Sequence, residues 1–449
     1  MINKKVLILL MVFTLLSNCS FDNKTGIWGD SAKEKKRISE LENEQKEVIK
    51  VEKIYSSDKT YNKEVVLKKK IVLPKPQNKS SWIMSNENYQ NNLGNIYSEG
   101  IDSFFLKKKI GKDKFPGSKK ISSLLVYKNN IIFSDDRGTI YYINEKGKII
   151  WKKNIYKKAY RKIYKNLVFS IYEGNIFVAD NIGFIYSINL SEGKILWIRN
   201  YETAMKSTIK VYENKIFLIN QDNKIFCLNT KDGSLIWNVL AIGSFIKSDN
   251  LLSLAITKEG DLVAITSSAD IFKIKANTGN IIWSRNTADS LYADATDFFV
   301  SSEIVINDDK LIFSSGNNTF LLSVNNGETL WKKETSSVAA PIVSGKNVFI
   351  VTNNGYLVII ELNTGEIISS TNILKILKRK KQKTKITGFI MGSGKIYSIT
   401  SNGFLISSSA NSGKTEFYKK IGGSNISPLA INNGKLYILT DRSKILVLN

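Results

Sequence analysis

The sequence predicts an all-β protein, an eight-bladed β-propeller of four-stranded antiparallel blades closed by an N-terminal strand, and three observations carry that prediction. A glycine is followed four residues later by tryptophan at Gly147/Trp151, Gly193/Trp197, Gly233/Trp237, Gly279/Trp283 and Gly327/Trp331, while Gly365 and Gly413 keep the glycine without the tryptophan. These seven glycines are separated by 46, 40, 46, 48, 38 and 48 residues, which is the length of one four-stranded unit. Between them, apolar β-branched runs alternate with turn residues, as in Asn175 to Asn189, where two such runs flank a turn and read as a hairpin.

Residues 1–18 read as a signal peptide. Lys4 and Lys5 precede an apolar run from Val6 to Leu16, too short to span a bilayer core of about 30 Å. Leu16-Ser17-Asn18-Cys19 looks like a lipobox, in which Cys19 is lipidated, for example with palmitate, and becomes the mature N-terminus. Asn18 stands where lipoboxes carry Gly or Ala, and an ordinary signal peptide with a chance cysteine is the alternative. Residues 19–80 mix both charge signs, as in Lys33-Glu34-Lys35-Lys36-Arg37, with few large apolar side chains. Such a segment cannot bury a core and reads as a solvated helix or flexible tether, with a thin apolar stripe at Ile38, Leu41 and Val48.

Residues 81–449 form the propeller. First strands are expected to begin near Ile121, Leu167, Thr208, Leu251, Ser301, Ala339, Ile386 and Ile426. The last repeat has only three strands before the chain reaches Asn449, and Phe104 to Gly111 resembles the missing fourth. Closing the ring in this way removes an unpaired sheet edge. Trp151, Trp197, Trp237, Trp283 and Trp331 are assigned to structure: each ring is expected to pack edge-on between neighbouring blades, burying area that one sheet cannot hide.

The net charge of +25 would suggest nucleic acid in a cytosolic protein. An export signal argues against that partner, and richness in Lys, Asn and Ile together is what an AT-rich genome produces. The densest basic run, Lys375 to Lys385, is expected to be a solvated loop, with an anionic lipid or acidic partner as the alternative. The chain has no histidine, which excludes Ser-His-Asp and Cys-His nucleophile systems and every His-based zinc site. Cys227 is left without a partner once Cys19 is assigned to lipid, and reads as a small buried apolar residue. Asp135, Asp136, Asp308 and Asp309 occupy turn positions. No catalytic or metal site is expected, and no cofactor.

The repeat endings Asn277-Thr278-Gly279-Asn280-Ile281-Ile282-Trp283 and Asn363-Thr364-Gly365-Glu366 resemble the PQQ-type propeller repeat. Two groups share it: quinoprotein dehydrogenases, which bind PQQ and calcium in the central funnel, and the BamB family, lipoproteins of the outer-membrane β-barrel assembly machinery that keep the propeller without a quinone. The chain resembles the BamB family over nearly its whole mature length, including Tyr89 to Gly100 leading into the closing strand. That resemblance implies a non-catalytic scaffold, lipid-anchored at the periplasmic face of the outer membrane, where Ser20 after the cysteine also points. It implies binding to the POTRA domains of the assembly barrel, the BamA-like partner, and service to nascent outer-membrane proteins, with strand addition as a possible mode. The family's docking loops correspond to Ala241–Asp249 and Asp289–Phe298, giving Lys247, Asp294 and Asp297 as partner-binding candidates. Lys247 and Asp297 each stand about one place from the family's positions. A quinoprotein oxidoreductase is the alternative, although its relatives carry a vicinal disulfide that a lone Cys227 cannot make. A periplasmic propeller binding another protein or a polysaccharide is the third reading.

Overall fold

A computed structural model describes residues 36–43, 61–115, 124–241, 248, 251–288, 300–381, 384–423 and 426–449. The predicted period resolves into eight four-stranded antiparallel sheets, seven of them laid out in chain order from the propeller axis to the rim and the eighth completed at the rim by the N-terminal strand. Blade 1 runs through Leu125–Tyr127, Asn130–Ser134, Thr139–Ile143 and Ile149–Asn154. The outer strands of blades 2 to 7 are Ile195–Asn200, Leu235–Leu240, Ile281–Asn286, Thr329–Lys333, Ile367–Asn372 and Thr415–Lys420. Blade 8 combines Ala430–Asn432, Lys435–Leu439 and Lys444–Leu448 with Phe104–Lys109, whose register runs from Phe104 opposite Leu448 to Lys109 opposite Lys444. The closing strand is therefore where the sequence placed it.

Several inner strands begin two to four residues later than expected, at Lys210, Leu254, Val305, Ile342 and Ala430, while Leu167 and Ile386 begin on the residue named. Ile121 lies outside the described residues. The preceding residues are drawn in by single bridges, Ser207 to Leu252, Ser301 to Ser315 and Ile426 to Thr440. A full ladder is lost there because neighbouring chains converge on the axis.

The repeated tryptophan and glycine belong to one device that joins consecutive blades. The Trp197 indole N–H donates to the Thr230 carbonyl of the next blade at 2.9 Å, and Trp151, Trp237, Trp283 and Trp331 donate likewise to Leu190, Ala276, Val324 and Leu362. Each ring lies on the glycine of the following repeat. A Cβ at Gly193 would approach three carbons of the Trp151 ring, at 2.8, 2.9 and 3.2 Å, and one at Gly233 would come within 2.6 Å of Trp197. Simultaneous contact with several ring carbons means that the ring presents its face, which corrects the edge-on packing expected from the sequence. Glycine is required twice at these positions, because φ is also near +70°.

The N-terminal segment is more engaged than a solvated tether. Among residues 36–43, Ile38 is buried in the core cluster that runs through blades 7, 8, 1 and 2, Leu41 packs against it, and the Arg37 guanidinium lies 5.5 Å from the Phe184 ring centroid. Val48 lies outside the described residues. From residue 61 onward the chain stays on the propeller, as described next.

Candidate functional site

Two places in this fold could meet a ligand or partner: the axis and the rim. At the axis, residues 82–99 travel round the inner ring in blade order. Trp82 exchanges backbone hydrogen bonds with Val126 of blade 1 at 2.6 and 2.9 Å, and the Ile171 N–H of blade 2 donates to Ile83 at 2.7 Å. Ile256 of blade 4 and Ile306 of blade 5 donate to Tyr89 and Gln90, both at 2.9 Å. Ser393 of blade 7 donates to Ile96 at 2.7 Å, and Glu99 donates to Gly434 of blade 8 at 2.8 Å. At blade 6, Gly94 faces the Val343 carbonyl. The coil thus caps the free inner edges of the sheets, which would otherwise leave backbone groups unpaired.

Lys210 of blade 3 fixes this coil. Its fully buried ammonium donates to the Ser85 and Asn88 carbonyls at 3.0 and 2.7 Å and to Asn91 Oδ1 at 2.7 Å. Asn91 Nδ2 in turn donates to the Leu254 and Ile304 carbonyls at 2.9 and 2.7 Å. Burial lowers the Lys210 pKa to about 7, against the opposing fields of Glu87 and Glu303. The filled end of the axis is that of the hairpins joining first and second strands. The connections between blades leave from the opposite end.

At the rim, each blade ends in an outer strand. In blades 1 to 7 this strand carries a bulge at the third residue after the repeat glycine. The bulged side chain is half exposed in blades 1 to 5: Ile150 49%, Leu196 50%, Ile236 42%, Ile282 40% and Leu330 49%. Its equivalent in blade 6, Ile368, is only 3% exposed, because residues 65–68 lie along that strand. Val65 and Ser370 exchange backbone hydrogen bonds at 3.0 and 2.9 Å, and the Lys68 N–H reaches the bulge carbonyl of Ile368 at 3.1 Å. Lys68 and Lys69 pair with Glu366 at 3.4 and 2.7 Å, and Lys375 pairs with Glu64 at 2.6 Å. The Lys69 and Lys68 contacts hold the Glu366 carboxyl below its ordinary pKa. Part of the segment read as a charged tether is therefore held in cis along the edge of blade 6, through one antiparallel bridge and one further backbone hydrogen bond, which sequence alone could not locate.

The sequence-derived site residues divide sharply. The five tryptophans act in blade packing. Cys19, Lys247, Asp294 and Asp297 all lie outside the described residues. Cys227 is buried, with its thiol pushed up to about 12 by desolvation. Asp135 serves its turn, Oδ1 accepting the Arg137 and Thr139 amides at 3.1 and 2.9 Å. In the basic run, residues 373–381 form a 3-10 connection that buries Ile373, Leu374 and Leu377, so its apolar side belongs to the core. Among the described residues, no helix is long and apolar enough to cross a membrane.

Fold, repeat and filled axis define a propeller of PQQ-like repeats whose inner edges are capped by its own chain. The sequence profile of the family described as outer membrane protein assembly factor BamB matches residues 136–371, more than half of the chain. The chain belongs to that family. No curated protein sequence matches it. Among solved structures, BamB from Moraxella catarrhalis superposes with a TM-score of 0.62 at 13% identity, covering 76% of this chain and 99% of that one. Quinohemoprotein alcohol dehydrogenase from Comamonas testosteroni gives 0.63 at 10%, covering 82% and 80%, and a europium-containing methanol dehydrogenase gives 0.61 at 12%, covering 80% and 89%. At these identities the structural likeness shows the fold alone.

A calcium and quinone pair of the quinoprotein kind asks for clustered oxygen donors on the axis and a vicinal cysteine pair. This axis presents an ammonium held by backbone carbonyls. Among the described residues no group of three or more His, Cys, Asp or Glu is placed to hold a metal ion, and the one described cysteine is buried inside blade 3. The described residues do not fit that pair.

Proposed function

We propose that this protein is a non-catalytic scaffold subunit of the outer-membrane β-barrel assembly machinery. It is anchored through lipidated Cys19 at the periplasmic face of the outer membrane, holds the POTRA domains of a BamA-like barrel, and aids insertion of nascent outer-membrane proteins. The observation that carries this reading beyond family membership is the axis: the end that the inner hairpins surround is filled by residues 82–99, locked by Lys210, leaving loops and edges as working surfaces. In this reading Lys247, which falls in sequence between the outer strand of blade 3 and the first strand of blade 4, and Asp294 and Asp297, which fall between blades 4 and 5, belong to the docking surface.

The test is co-purification from solubilised membranes. Lys247→Glu combined with Asp297→Lys is expected to weaken recovery of the assembly barrel while leaving Tm nearly unchanged, since charge reversal at an interface acts on binding. Wild-type recovery by the double variant would place the contact elsewhere. Cys19→Ala is expected to move the protein into the soluble periplasmic fraction. The quinoprotein reading is favoured by the likeness to two alcohol-oxidising propellers; saturable, calcium-dependent PQQ binding with dye reduction would establish it.

A further inference from the structure

We propose that the outer strand of blade 1, Ile149–Asn154, accepts an extended acidic segment of a partner protein as a fifth antiparallel strand, as blade 6 accepts residues 65–68. This deepens the scaffold reading by naming the chemistry of the strand held there. The peptide measurement below is separate from co-purification with the barrel, so either can fail alone.

Blade 6 shows what such an edge needs. Its acceptor groups are the amide and carbonyl of the fifth residue after the repeat glycine, Ser370, and the carbonyl of the bulged third residue, Ile368. The equivalent groups in blade 1 belong to Lys152 and Ile150, in a strand with the same bulge. No backbone partner caps their outward side among the described residues. Ile150 is half exposed, so an added strand would bury it as residues 65–68 bury Ile368. Main-chain hydrogen bonds supply the attachment, and side chains supply the choice of partner.

The choice is set by charge. In blade 6 the residue after the repeat glycine is Glu366, and it takes two lysines from the added strand. In blade 1 that position is Lys148, joined along the same strand by Lys146, Lys152 and Lys153. None of these four forms an ion pair among the described residues, and Lys146, Lys148 and Lys152 are exposed. Blades 2 to 5 and 7 are less one-sided: blade 2 sets Glu192 beside Lys194, blades 3 and 4 have Ser234 and Asn280, blade 5 has Glu328, and blade 7 sets Glu416 beside Lys414. The blade 8 edge, Phe104–Lys109, is also bulged and basic through Lys107, Lys108 and Lys109, but Ser103 stands there at the position of Lys148. The blade 1 edge repeats the blade 6 arrangement with the sign reversed, and a basic strand such as residues 63–70 of a second copy would meet like charge there.

Fluorescence anisotropy with the full chain and three labelled peptides tests this. The first has the sequence of residues 63–70, the second replaces its lysines with glutamate, and the third is the acidic peptide N-methylated at alternate amides. The acidic peptide is expected to bind about tenfold more tightly than the basic one, as several reversed cross-strand charge pairs would give. The basic peptide is kept from blade 6 by the tethered strand already there, whose effective concentration is high. Lys148→Glu combined with Lys152→Glu should reverse the preference, and N-methylation should abolish binding. Equal binding of the N-methylated peptide would reduce the effect to surface electrostatics. Unchanged affinity of the acidic peptide in the double variant, or equal binding of the basic peptide to wild type, would overturn the assignment.

Discussion

Blades 2 and 6 are built on the same strand plan but meet their successors differently. Trp197 of blade 2 lays its ring on Gly233 of blade 3 and donates its N–H across the junction. The equivalent residue of blade 6 is Ser369, and the atoms nearest to the Cβ position of Gly413 of blade 7 belong to Thr371 and Ser369, with Thr371 Oγ1 at 3.0 Å. What blade 6 lacks in ring contact coincides with an added strand: Ser369 and Ile368 are both buried, and Val65 pairs with Ser370. The repeat can therefore be completed from the side by a neighbouring tryptophan or from the rim by an extended segment.

The largest effect should come from removing what both kinds of blade depend on. A chain beginning at Lys112 loses the closing strand of blade 8 and the axial coil together. It is expected to aggregate or to lose cooperative unfolding in denaturant, because both sheet edges of blade 8 become unpaired. Normal cooperative unfolding would show that the ring closes without Phe104–Lys109.

Trp197→Ala should destabilise by about 3–5 kcal/mol, as large-to-small changes in packed interiors do, whereas Ser369→Ala should change little. Chemical denaturation of both variants measures the contrast; similar costs would mean that the ring-on-glycine contact is not what holds successive blades. Gly233→Ala and Gly413→Ala share the strain of positive φ, at +70° and +72°. Only the former drives a methyl into a ring, at 2.6 Å. Its excess cost is expected to be roughly 1–3 kcal/mol, read from the same denaturation curves.

The effect at the axis is read differently, as a slope against pH. Lys210 titrates near 7 in the folded protein and near 10.5 when free. Between those values the unfolded chain binds the additional proton, so stability rises with pH by up to about 1.4 kcal/mol per pH unit. That contribution is complete above the unfolded value and is lost as pH falls through the folded one. Lys210→Met should flatten this part of the profile. An unchanged slope would mean that the ammonium is not desolvated by the coil.

Much of this was legible in the sequence, because it is local or repeated. Period-two apolar runs define strands, glycine spacing defines the blade, and a three-stranded last repeat with a matching upstream segment gives the closing strand. The spacing of the tryptophans was visible, but the need for each glycine was only half so. The turn it makes is local, whereas the ring lying on it comes from the preceding blade.

Tertiary structure alone decided how the axis is capped and which outer edge is covered. Residues 82–99 show no periodicity because their partners are successive blades rather than each other, and Lys210 becomes a locking cation only when the coil closes over it. Residues 65–68 are mostly exposed charge and β-branched side chains in sequence, and pair with a sheet only beside Ser370, 305 residues away from Val65. Local pattern records what a segment prefers. Which unpaired edge it satisfies depends on where the rest of the chain has left backbone donors and acceptors open.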